Sequence, residues 1–281
     1  MKKLLSGLRQ FQENYIPSRK ALLKKLAKGQ NPRVLFIACS DSRVDPALIT
    51  QADIGDLFVI RNAGNIVPPY EATNGGEGAT SEYAIEALDI KQIIVCGHTH
   101  CGAMKGLLQV GELEDKMPLV YNWLRHTAAT RKLVQDNYSH LDKEEMLAAL
   151  EAENVLTQIE NLRTYPVIRS KLYQEDLSIH AWLYKIETGE VLAYDSEEHA
   201  FMPPHSKIYP EPDIQTQPAL VGNGSTHASP AIAPPVSIPV KQAVTQSQKT
   251  ERMEPTQFPG SSRLSREQAE RIYRGSAAQP R

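Results

Sequence analysis

The sequence has few cysteines, no long apolar run and no pattern typical of a secretion signal. Its 281 residues include three cysteines, a low and odd number that argues against a disulfide framework. No stretch reaches the roughly 18 consecutive apolar residues that a membrane span needs. Polar residues between Arg9 and Asn14 interrupt the apolar positions near the N-terminus, so no signal peptide is predicted. We therefore expect a cytoplasmic protein whose reduced thiols are available to a metal ion.

The chain also lacks a strong charge of either sign. Residues 1–205 carry a net charge of −5 and residues 206–281 a net charge of +3. Nucleic acid is therefore not an expected partner. Proline is scarce in the first part of the chain, since twelve of the 19 prolines lie at or beyond Pro203. This shift in composition predicts a folded body, long enough for one core, followed by a tail that builds none.

Three continuous apolar runs predict strands of a parallel sheet that are buried on both faces. The runs are residues 34–38, 57–60 and 93–95. The segments between and after them show helical spacing, Pro166 is expected to stop the last helix, and a hairpin is predicted around Gly189. Strands that alternate with helices predict an α/β fold, with a mostly parallel central sheet flanked by helices.

Two clusters of reactive side chains follow two of the predicted strands. Cys39 follows the first run, and His98 and Cys101 follow the third. The carboxyl ends of neighbouring parallel strands form ligand sites, so we expect the three side chains to meet. Two thiolates and one imidazole are a zinc-binding set that leaves a fourth position open for water. The sequence therefore predicts a catalytic zinc site.

A charged pair lies directly beside this predicted site. Asp41 and Arg43 are two residues apart, a spacing that lets their side chains meet and keeps the carboxylate ionised. The carboxylate can then accept a hydrogen bond from water at the open metal position, so both residues are predicted to be catalytic. His100 lies between two predicted ligands, but its spacing predicts a side chain that points away from the metal.

The motifs C-S-D-S-R at 39–43 and G-H-T-H-C-G at 97–102 resemble those of the β-class carbonic anhydrases, and the resemblance covers roughly residues 15–200. The resemblance implies the β-carbonic anhydrase fold, Zn²⁺ bound by Cys39, His98 and Cys101, and reversible hydration of CO₂ to bicarbonate. It also implies that the Gly102 N–H binds bicarbonate and that a homodimer or an assembly of dimers forms. Small apolar walls such as Phe58 and Ala63 suit an uncharged linear substrate. The pocket positions implied by the family, some of them supplied across a dimer interface, are Gln30, Phe58 and Tyr83.

Four segments are predicted along the chain. They are an N-terminal helical arm at 1–30, a catalytic α/β zinc domain at 31–202, a Pro-rich flexible linker at 203–262 and a short amphipathic helix at 263–276. The last helix has a capping-box pattern but is too short to be stable alone, so we expect it to dock into a groove. A body with such an extension is similar to carboxysomal members of the family. This implies a location within the carboxysome, supply of CO₂ to carbon fixation, and tethering to a scaffold or shell protein.

The sequence is also compatible with two other functions. A CS₂ or COS hydrolase would share the fold and the ligands, and only kinetics would distinguish it. A non-catalytic carboxysome scaffold subunit would bind partners alone. The intact pair of Asp41 and Arg43 argues against the second, because a structural role has no use for it.

Overall fold

The computed structural model describes residues 1–72 and 75–204. The predicted helix at 263–276 and nearly all of the predicted linker at 203–262 lie outside these residues. Within the described range, none of the helices combines the length and the apolar character that crossing a membrane requires. Most of the predicted N-terminal arm at 1–30 is helical, from Lys2 to Leu26 with a break at Arg19.

A six-stranded sheet forms the centre of the fold, with the strand order β2-β1-β3-β4-β5-β6. The pairs β1–β2, β1–β3 and β3–β4 are parallel, whereas β4–β5 and β5–β6 are antiparallel. This confirms the predicted α/β fold with a mostly parallel sheet flanked by helices. The strands are β1 Val34–Cys39, β2 Leu57–Asn62, β3 Gln92–His98, β4 Ser178–Tyr184, β5 Val191–Asp195 and β6 Ala200–Met202.

Helices connect the strands and cover the sheet. A π-helical segment, Phe11–Tyr15, joins the first two helices, and 3-10 turns occur at Val110–Leu113 and Arg125–Thr127. The longest helix, α9, begins with a capping box formed by Asp142 and Glu145 and packs against β3 and β4. The α-helices are α1 Lys2–Gln10, α2 Ile16–Ser18, α3 Lys20–Leu26, α4 Pro46–Thr50, α5 Gly76–Glu86, α6 Gly102–Leu108, α7 Pro118–Leu124, α8 Ala128–Asn137, α9 Lys143–Leu162 and α10 Pro166–Tyr173.

Strands β1 and β3 are apolar at nearly every position because both of their faces are buried. Leu35 and Ile93 pack into the larger core cluster, whereas Phe36 and Ile94 belong to a separate cluster. The two strands run in parallel and in register, so their carboxyl ends lie side by side. This arrangement brings the segment after Cys39 next to the segment after His98.

Two expectations about individual elements are wrong. The run at 57–60 forms β2, which is the edge strand of the sheet rather than a strand buried on both faces, and Val59 is 42% exposed. Apolar runs do not distinguish a central strand from an edge strand, because both can carry β-branched residues on each face. Pro166 does not end α9, which stops at Leu162; it begins α10, where its missing N–H costs nothing.

Candidate metal centre

Three buried side chains form the candidate metal centre. Cys39 ends β1, His98 ends β3, and Cys101 directly precedes α6. Their ligand atoms all lie within 4.8 Å of one another, and each residue is at most 5% exposed. The structure thus brings together the three residues that the sequence predicts as metal ligands.

The imidazole of His98 is prepared to bind a ligand through Nε2. Its Nδ1 lies 2.9 Å from the carbonyl oxygen of Thr99, which can only accept, so Nδ1 carries the proton. Nε2 then presents a lone pair, and in the described residues this buried atom has no hydrogen-bond partner. Buried polar atoms without a partner are uncommon and require an explanation. A metal ion bound at Nε2 supplies one.

The two thiols of the centre interact directly with each other. A hydrogen bond from Cys101 lowers the pKa of Cys39, and the same interaction raises the pKa of Cys101. The backbone N–H of Gly64 also donates to Cys39 Sγ, at 3.4 Å. A divalent cation would hold both sulfurs as thiolates, and two sulfurs with one imidazole nitrogen suit zinc.

Asp41 and Arg43 meet in a two-point ion pair, as their spacing predicts. Nε and Nη2 of Arg43 donate to the two carboxylate oxygens of Asp41 at 2.9 and 2.7 Å. These hydrogen bonds hold the pKa of Asp41 well below its usual range. Asp41 is thus an ionised acceptor in a fixed orientation close to the candidate metal centre.

Arg61 fixes the loop that carries Cys39 and Asp41. Its Nε donates to the carbonyl oxygen of Cys39 at 3.0 Å, and its Nη2 donates to that of Asp41 at 2.7 Å. The sequence of β2 predicts no such role for Arg61, because a local pattern does not indicate that this side chain reaches over the end of β1.

The loop from His98 to Gly102 is fixed by the hairpin between β4 and β5. Thr99 Oγ1 donates to Glu187 at 2.8 Å, and Nε2 of His100 contacts the same carboxylate. His100 has a φ of 55°, which turns the chain sharply, and its exposed side chain takes no part in the ligand cluster. A side chain at Gly102 would meet no atom within 4 Å, so there is open space in front of the first residue of α6.

The predicted pocket residues do not all gather at this centre within one chain. Ala63 lies near it, one residue before Gly64, and its carbonyl oxygen accepts a hydrogen bond from Trp123 at 2.8 Å. Phe58 pairs with a residue four positions before Cys39, which places it roughly 13 Å away along the sheet. The Phe58 and Tyr83 rings lie 6.1 Å apart by the exposed edge of the sheet, and Gln30 is exposed.

Two polar side chains of α9 hydrogen-bond to the backbone of the candidate metal centre, and neither is predicted from the sequence. Glu151 accepts a hydrogen bond from the N–H of Cys101 at 2.7 Å, and burial raises the pKa of Glu151 to about 7. Asn154 donates to the carbonyl oxygen of Gly64 at 2.9 Å. Both residues lie on the apolar, buried face of a long helix. Because a buried polar group without a hydrogen-bond partner is costly, their position on this face could have indicated that each has a partner.

The chain is similar to proteins of one family. The model of the carbonic anhydrase family matches residues 34–191. A carbonic anhydrase of Synechocystis sp. is 55% identical over 98% of this chain and 100% of that protein. The solved structure of the β-carbonic anhydrase CcaA is 62% identical with a TM-score of 0.72, over 73% of this chain and 99% of that chain. A structure from a study of two tetrameric β-carbonic anhydrases of Sordaria macrospora is 29% identical with a TM-score of 0.61, over 68% of this chain and 95% of that chain.

Proposed function

This chain belongs to the β-class of the carbonic anhydrase family and is an enzyme of that family, and we propose that it works with a zinc ion bound by Cys39, His98 and Cys101. The observation that carries the proposal is the set of three buried donor atoms within 4.8 Å of one another. Zinc bound by three protein ligands supplies a Lewis acid that lowers the pKa of a water molecule toward neutrality. The reaction is the reversible hydration of CO₂ to bicarbonate.

In this proposal Asp41 orients the water that attacks CO₂. The two hydrogen bonds from Arg43 keep the carboxylate ionised, so it accepts a hydrogen bond from the water and directs a lone pair toward carbon. Arg43 also donates to the carbonyl oxygen of His100 at 3.1 Å, which fixes the pair against the second ligand-bearing loop. A scaffold subunit without catalytic activity would not need this arrangement.

The residues around the open space suit the substrate and the product. Ala63 presents a short apolar side chain, which accommodates an uncharged linear molecule without demanding a hydrogen bond. Gly102 lacks a side chain where one would project into open space, so bicarbonate can approach its backbone N–H.

We further propose that a second copy of the chain completes the pocket in a homodimer or an assembly of dimers. Phe58 and Tyr83 lie near the edge strand β2, where Val59 leaves 42% of its surface exposed. Along the strand, Phe58 is too far from the metal ligands of its own chain. Residues from the edge of a partner could supply these side chains and Gln30 to the opposite centre. The tetrameric state reported for the Sordaria relatives supports an assembly of this kind.

The extension beyond residue 204 is proposed to direct the enzyme to a carboxysome in the cytoplasm, where it would supply CO₂ to carbon fixation. The Synechocystis relative is similar over 98% of this chain, so the similarity includes most of the extension and not only the catalytic body. The helix predicted at 263–276 is the proposed contact with a scaffold or shell protein, and the proline-rich segment before it is the proposed tether.

Metal analysis combined with kinetics tests the proposed function. We expect about one zinc per chain, loss of CO₂ hydration when a chelator removes the metal, and recovery when zinc is restored. Turnover of COS and CS₂ measured on the same preparation decides the alternative substrates. Hydration that persists in the metal-free enzyme would contradict the zinc proposal, and hydrolysis of CS₂ or COS without CO₂ hydration would contradict the proposed reaction.

A further inference from the structure

Helix α9 carries two buried glutamates that have different partners. Glu151 is 3% exposed and Glu153 is 8% exposed. Two positions along an α-helix differ by about 200° around its axis, so the carboxylates point in nearly opposite directions. The Glu153 carboxylate accepts a hydrogen bond from the hydroxyl of Tyr138 at 3.2 Å, whereas Glu151 faces the loop that carries two of the candidate ligands.

The contact of Glu151 with this loop is made at a metal-binding residue. Its Oε1 accepts from the backbone N–H of Cys101 at 2.7 Å, and the backbone of His100 also stabilises the carboxylate. Cys101 has extended backbone angles, φ −68° and ψ 117°, and directly follows the left-handed turn at His100. The carboxylate is thus the partner of a buried N–H at the point where the chain turns from β3 into α6.

We propose that Glu151 is a positioning residue of the metal centre, which fixes the backbone of Cys101 and thereby sets the place of its sulfur relative to Cys39 and His98. Asn154 supports the other sulfur from the same face of α9, one turn further along. It holds the carbonyl of Gly64, and the N–H of Gly64 donates to Cys39 Sγ. One helix face therefore orients both sulfur ligands.

The size of the expected effect follows from how metal sites respond to their surroundings. Groups that hydrogen-bond to the ligands typically change metal affinity by about 10–100-fold when they are altered. Shortening Glu151 by one methylene withdraws the acceptor oxygen from the Cys101 N–H but retains the charge. Replacing it by glutamine retains an acceptor oxygen at the same reach but removes the charge. The two changes therefore separate position from charge.

Zinc affinity measured by competition with a chelator tests the inference on the full-length chain, with thermal unfolding recorded on the same samples. We expect Glu151→Asp to weaken zinc binding by about tenfold or more, and Glu151→Gln to stay within about threefold of the wild type. Glu153→Asp is the matched control, because it shortens another buried carboxylate on the same helix that does not contact the metal loop. We expect it to leave zinc affinity within about threefold of the wild type, whatever it does to thermal stability.

The inference rests on the proposed zinc site, and the experiment separates the two. A wild-type chain that binds no zinc would contradict the proposed function. A wild-type chain that binds zinc, with Glu151→Asp no weaker than Glu153→Asp, would overturn only the role of Glu151. Loss of affinity in Glu151→Gln as large as in Glu151→Asp would also overturn it, because charge rather than placement of the acceptor would then be responsible. If Glu151→Asp does not fold, a loss of zinc affinity of more than about threefold in Glu151→Gln would still overturn the role proposed for Glu151.

Discussion

Arg43 connects Asp41 to the opposite loop of the candidate metal centre. Its guanidinium donates to both carboxylate oxygens of Asp41 and also to the carbonyl oxygen of His100, at distances between 2.7 and 3.1 Å. Asp41 follows β1 and His100 follows β3, so one side chain joins the two segments that carry all three candidate ligands. The pair thus aligns the two segments in addition to holding the carboxylate ionised.

Replacement of Arg43 by lysine is predicted to reduce catalysis while zinc remains bound. Lysine keeps the positive charge but cannot form the two-point contact with a carboxylate, so Asp41 would no longer be fixed in one orientation. We expect kcat/KM for CO₂ hydration to fall by about tenfold or more, with about one zinc per chain retained. Stopped-flow kinetics and metal analysis measure both quantities.

Arg33→Lys provides the matched control for that substitution. Arg33 pairs with Asp56 at 3.3 Å in an exposed position away from the ligand-bearing loops, and exposed ion pairs contribute little. Its kcat/KM should remain close to the wild-type value. Equal activity in the Arg43→Lys variant and the wild type would show that the two-point contact is not needed for catalysis.

Sharing of the pocket between two chains is tested by complementation. A chain with Cys39→Ala lacks a metal ligand but keeps Phe58, whereas a chain with Phe58→Ala keeps the ligands but lacks the proposed pocket wall. Mixed dimers from co-expression would contain one complete site, because the intact Phe58 of the first chain would lie against the intact metal centre of the second. We expect activity clearly above the average of the two variants expressed separately. Activity equal to that average would place Phe58 outside the partner's site.

Stability should depend on pH through the buried Glu153. Burial raises its pKa to about 7, whereas a glutamate in the unfolded chain has a pKa of about 4.3. Between these values the folded chain retains a proton that the unfolded chain has lost, so the free energy of unfolding falls as pH rises and levels off above about 7. The groups that act on Glu153 are the Tyr138 hydroxyl, which opposes the shift, and Glu160, which adds to it.

Denaturant unfolding of the wild type and of Glu153→Gln at several pH values measures this contribution. The stability of the wild type relative to the variant should fall by roughly 1–3 kcal/mol between about pH 4.3 and above pH 7. Glu82→Gln, which changes an exposed glutamate, should show no such difference. A constant gap between wild type and Glu153→Gln across this range would mean that Glu153 titrates normally in the folded chain.

Removal of residues 206–281 is predicted to leave hydration unchanged and to abolish association with the carboxysome. All candidate site residues lie before residue 206, and the sheet ends at Met202, so kcat/KM should stay close to that of the full chain. Co-purification with carboxysomal scaffold or shell proteins from the producing cells reports the association. A truncated chain that still co-purifies with them would exclude the extension as the targeting segment.

Local patterns in the sequence were sufficient for the centre of the fold and for the ligand cluster. The apolar runs before Cys39 and His98 predict two adjacent parallel strands, and adjacent parallel strands necessarily bring their carboxyl ends together. Apolar character alone could not place β2 at the edge of the sheet, because strand order depends on packing between distant segments. The contacts of Glu151 and Arg61 join residues far apart in the sequence, and no local pattern reports such pairs.

X-ray absorption spectroscopy of the purified full-length chain tests the central claim most directly. The account predicts one zinc per chain, coordinated by two sulfurs, one imidazole nitrogen and one light atom that does not come from the protein. Zinc coordinated by four protein side chains at every pH, or a catalytically active chain that holds no zinc, would contradict it.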